Sequence, residues 1–116
     1  MNSSKPLFWP LAHLGYSAIV ASVAAEAPTP LAGSLAGAVL IAPVAAVHCS
    51  LALSRLALRY GFPRRSAAAL GALIGVLGGA AEGALVGSVS VTSGKQAGVG
   101  LAVTIAATSE IVESRL

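Results

Sequence analysis

Four glutamates, two histidines, one cysteine and seven Lys or Arg residues carry nearly all the ionisable chemistry of this 116-residue chain. There is no aspartate, so paired-carboxylate catalysis has few candidates. No nucleophile elbow, phosphate-binding glycine loop, Cys-x-x-Cys or His-Glu-x-x-His occurs. The expectation is a non-enzymatic protein with no catalytic residues and no cofactor. The lone Cys49 excludes an intrachain disulfide and any multi-thiolate metal site. His13 and His48 lie on separate apolar segments with no acid close by in sequence, and Cys49 points to a different helix face from His48. No metal site is expected from them.

Glu82 is the acid most exposed to question. It stands about 16 residues into an apolar run that begins at Ser66, roughly 24 Å along an ideal helix axis. An ionised carboxylate at that depth costs a few kcal/mol, so the neutral acid is the expected form. Gly71, Gly75, Gly78 and Glu82 share a stripe by spacing, which turns the carboxyl toward a neighbouring helix. Pro43 lacks an N–H and frees the Val39 carbonyl. Pro43 and Glu82 fall at similar depth on antiparallel helices, so Glu82 is expected to donate to Val39 O, or to Ser22 or Thr104.

The remaining acids suggest ion pairing. Arg55 and Arg59 share one helix face, as do Glu110 and Glu113, and opposite charges at one depth should meet.

These groups are set in glycine-rich segments. Gly71, Gly75, Gly79, Gly83 and Gly87 recur every four residues, a glycine zipper widened by Gly78. A weaker pair, Gly33 and Gly37, lies in the preceding run. Lipid offers little hydrophobic gain from pairing helices, so such small residues serve close backbone approach. They predict either internal packing or contact with another subunit.

Positioning falls to membrane-spanning helices. The chain is 56% hydrophobic and 9% charged, with mean hydropathy +0.86, and too few charges remain to cover a soluble core. Four runs can span about 30 Å of hydrocarbon: 7–25, 31–58, 66–91 and 96–113, the fourth marginal because Glu110 and Glu113 lie in its last turns. Glu26-Ala-Pro-Thr-Pro30, Gly61-Phe-Pro-Arg-Arg65 and Thr92-Ser-Gly-Lys95 separate them. Such short connections make sequential helices antiparallel neighbours. Ser22-Val-Ala-Ala-Glu-Ala27 resembles a signal-peptide cleavage site, but the apolar content continues beyond it, favouring a retained first span.

With four spans, Lys5, Arg55, Arg59, Arg64, Arg65 and Arg115 fall on one side and Lys95 on the other. That bias places both termini in the cytoplasm, with Phe8, Trp9, Tyr60 and Phe62 at the same interface. The net charge of +3 follows from this topology and gives no reason to expect nucleic acid.

The sequence therefore reads as an all-α, four-helix integral protein of a cytoplasmic (inner) membrane. Its partners are the lipid bilayer and either further copies as a homo-oligomer or other membrane subunits. The alternatives are a small proton- or cation-coupled transporter or channel using Glu82, and a lysis-type pore former.

Overall fold

A computed structural model of the chain describes residues 8–116, and all regular secondary structure within them is α-helical. Four α-helices follow in order: α1 (Phe8–Ala24), α2 (Pro30–Tyr60), α3 (Arg64–Ser93) and α4 (Lys95–Ser114). Lys5 and Leu7, which entered the expected topology and first span, lie outside the described residues.

The boundaries have local causes. Pro10 lies near the start of the described part of α1. Thr29 is extended and its Oγ1 accepts the Ala32 N–H at 3.1 Å, capping α2, while Pro30 supplies a fixed φ at the first helical position. Gly61 closes α2 in the left-handed conformation at φ 74°, where its N–H and that of Phe62 both reach the Ala57 carbonyl. Gly94, at φ 96°, turns the chain from α3 into α4.

α2, α3 and α4 are long and apolar enough to cross a membrane, whereas α1 is a shorter apolar helix of 17 residues. The fourth segment, expected to be marginal, is thus among the helices long and apolar enough to span. Glu110 and Glu113 fall inside α4 without ending it, because both acids have partners in the bundle. At 1.5 Å per residue α2 and α3 run about 46 and 45 Å, against about 26 Å for α1 and about 30 Å for α4.

Burial is inverted relative to a water-soluble bundle. The largest fully buried side chains are only Val20, Val86 and Ser90. Ala21, Val86 and Ala102 form the central cluster, with Val99, Leu101 and Ile105 packed around it. Large apolar side chains point outward, among them Leu35, Val47, Leu73 and Leu77. Small residues inside and branched apolar residues outside are the arrangement that hydrocarbon stabilises. The protein is thus a small helical membrane protein, and its outward faces suit contact with lipid.

Candidate functional site

α3 packs closest on α2, and its buried face is the row Gly71, Gly75, Gly79, Gly83 and Gly87. The match is backbone to backbone. A Cβ added at Gly83 would overlap the Gly37 carbonyl, and one added at Gly37 would overlap that of Gly83. Gly87 and Gly33 stand in the same reciprocal relation, and Gly71 and Gly75 lie against the carbonyls of Cys49 and Ala45. At Gly79 an added Cβ would meet the Ala45 methyl at 2.6 Å. Gly78, expected to widen the row, is exposed with nothing within 4 Å, because one residue of offset turns it about 100° away from α2.

Ser34 Oγ ties this pair further, donating across to the Ala84 carbonyl at 2.9 Å. Most other hydroxyls satisfy themselves within their own helices. Ser22 Oγ donates to Ala18 O and Thr104 Oγ1 to Gly100 O.

Among the described residues, no hydrogen bond joins Glu82 to Val39, Ser22 or Thr104. Its Oε1 is buried with no hydrogen-bond partner. The carbonyl engaged next to the Pro43 gap is Leu40 O, and Tyr16 takes it, donating its phenol at 2.6 Å. Matching depth was therefore insufficient: a tyrosine on α1 reaches the Pro43 region, while Glu82 lies at the depth of His13.

That histidine belongs to a cluster assembled from three helices. His13 Nδ1 of α1 lies 2.8 Å from Glu110 Oε1 of α4, and His48 Nε2 of α2 lies 2.6 Å from Glu113 Oε2 of α4. An ionised carboxylate only accepts, so with both acids charged each of these ring nitrogens carries the donated proton. The imidazoles also face each other, with centroids 5.3 Å apart. Arg55 Nη2 approaches Glu113 Oε1 at 3.3 Å, and Arg59 reaches the Leu116 carbonyl.

Two expectations are corrected here. The histidines do have nearby carboxylates, supplied by α4 from 97 and 65 residues away in sequence. The arginine–glutamate pairing holds only for Arg55 with Glu113: Glu110 turns inward to His13, and Arg59 caps the chain end.

Counting rise from the Lys95 end places Glu82 and His13 about 16 Å in, Glu110 about 22 Å, His48 and Glu113 about 27 Å, and Arg55 about 38 Å. Three of the four acids and both histidines thus form a string along the bundle axis. His13 and Glu110 retain only 22% side-chain exposure each, whereas Arg55 retains 68% and extends outward at the arginine end. Sequence offered only a partial signal: counted from the helix caps, Glu82 matches His13 and Glu113 matches His48, but Glu110 and its partner His13 differ by about 6 Å.

The chain matches no known protein family, no curated protein and no solved structure.

Proposed function

We propose that this protein moves a cation across its membrane, with Glu82 and the His13–Glu110 and His48–Glu113 pairs lining the route. The observation that supports this reading is the string itself: five partly buried ionisable side chains contributed by all four helices of an apolar bundle. Intramembrane ionisable groups are expensive to place, and their gathering along one line favours a role in handling charge. Glu82, whose buried Oε1 has no hydrogen-bond partner among the described residues, is the natural acceptor for an incoming ion.

The test is flux into liposomes reconstituted with the purified protein, read with a cation-sensitive dye under an imposed gradient. Uptake is expected for the natural chain, and Glu82→Gln should slow it at least about tenfold while leaving orientation and amount unchanged. Rapid release of an uncharged solute, indifferent to Glu82, would instead indicate a lysis-type pore. No flux of any kind would leave a packing or assembly role.

A second reading, association with further copies or other membrane subunits, draws support from the outer surface. The glycine row is consumed by α2 of the same chain, so another helix would have to use other faces. Gly78 on α3 and Gly100 on α4 are both exposed with open space at the Cα, which permits close approach. Crosslinking in bilayers, with Gly100→Leu as the disrupting variant, tests it.

The proposed orientation has both termini and the arginine turn in the cytoplasm of an inner membrane. Thiol labelling of Arg115→Cys and Lys95→Cys from outside intact cells should mark only the latter.

A further inference from the structure

The geometry points to a binding site for a divalent transition-metal ion, of the Zn²⁺ or Co²⁺ kind, formed by His13, His48 and Glu110. This names the cation class of the route proposed above and rests on that reading for its place in transport. The site itself stands on separate observations.

One ligand atom from each of the three residues lies within 4.8 Å of the others, and all three side chains are half-buried. Ligands of a tetrahedral ion bound at about 2.0 Å sit about 3.3 Å apart, so closure requires the ligand atoms to approach by up to about 1.5 Å.

The donor set selects the ion. Two imidazoles and one carboxylate suit borderline metals, whereas Ca²⁺ and Mg²⁺ favour six or more oxygens in their coordination shells. Three protein ligands leave a fourth position open for water or for handover to another group.

The surroundings fit as well. With Nε2–H of His48 donated to Glu113, the neutral ring keeps its lone pair at Nδ1 for a metal. A carboxylate behind a ligating imidazole is the usual support of such sites, and Arg55 in turn holds Glu113. At His13 the Nδ1 proton now shared with Glu110 would leave to solvent, or the ring would bind through its other nitrogen. Glu110 and Glu113 would offset most of the ion's 2+ charge, with Arg55 beside Glu113 adding one positive charge at the exposed end. The three ligands come from α1, α2 and α4, so the ion would also staple α4 to the rest of the bundle.

The experiment is titration of the full chain, free of any polyhistidine tag, with Co²⁺ in lipid nanodiscs. One Co²⁺ per chain is expected, with the intense visible absorption of a four- or five-coordinate ion, displaced by Zn²⁺. His13→Gln, His48→Gln and Glu110→Gln should each weaken binding at least about tenfold, and Glu113→Gln, acting through His48, about tenfold. X-ray absorption on the natural chain should show nitrogen and oxygen ligands only, a readout that needs no variant to fold.

Absence of saturable Co²⁺ binding, a sulfur ligand from Cys49, or undiminished binding by a folded His13→Gln/His48→Gln double variant would overturn the site. Binding without flux would keep the site and remove transport. Flux of monovalent ions without Co²⁺ binding would keep transport and remove the site.

Discussion

The two interfaces of α2 use opposite solutions to the same problem. Toward α3 it presents mostly glycine and alanine, and the helices meet largely through main-chain atoms, with Ser34 donating across the seam. Toward α1 and α4 it presents Tyr16's acceptor, His48 and Arg55, and contact runs through polar side chains with rotatable bonds. Dispersion between close-packed backbones is strong only when nothing intervenes, so the first interface tolerates no added atom. The second joins groups that can let go and be remade. Permanence and exchange are thereby separated onto two sides of a single helix.

The sharpest way to break this contrast is Gly83→Leu. Its Cβ cannot avoid the Gly37 carbonyl, and the cost should exceed about 3 kcal/mol, read as loss of helicity at lower SDS fraction in mixed-micelle unfolding. Gly78→Leu, one turn-fraction away in open space, should stay within about 0.5 kcal/mol. Equal effects at the two glycines would erase the distinction.

On the polar side, His13→Ala leaves Glu110 without its ring donor in a largely covered position, and a loss of about 1.5–3 kcal/mol is expected in the same assay. Arg55→Ala should cost under about 1 kcal/mol, because its partner contact is long and the side chain is mostly exposed. The difference between these two variants measures how far the cluster's strength lies in its buried half.

Much of the fold is legible in the residues. Pro30, Gly61 and Gly94 mark the ends of helices because their backbone constraints are local, and apolar run lengths mark the spans because hydrocarbon thickness is fixed. The spacing of Gly71 to Gly87 placed five residues on one face by helix geometry alone. Which neighbour that face meets was not legible, since several helices carry small residues.

The cluster was less visible still. Whether Glu110 meets Arg59 or His13 depends on the rotation of α1 and α4 about their own axes. Helices apolar on nearly every side, as these are, carry little local pattern to set that rotation. The same blindness sent Glu82 toward Val39, when Tyr16 was the residue turned to the Pro43 region.

The glycine seam also limits how this molecule could rearrange. Carbonyls of each helix nest against Cα atoms of the other, so a screw motion advancing either helix by one residue would bring Ala38, Ala80 or Ala84 into space that holds only hydrogen. The hairpin therefore behaves as a single stiff plank. Any rocking that opens one end of the bundle and shuts the other must hinge where α1 and α4 lean on that plank, along the line where the imidazoles and carboxylates lie.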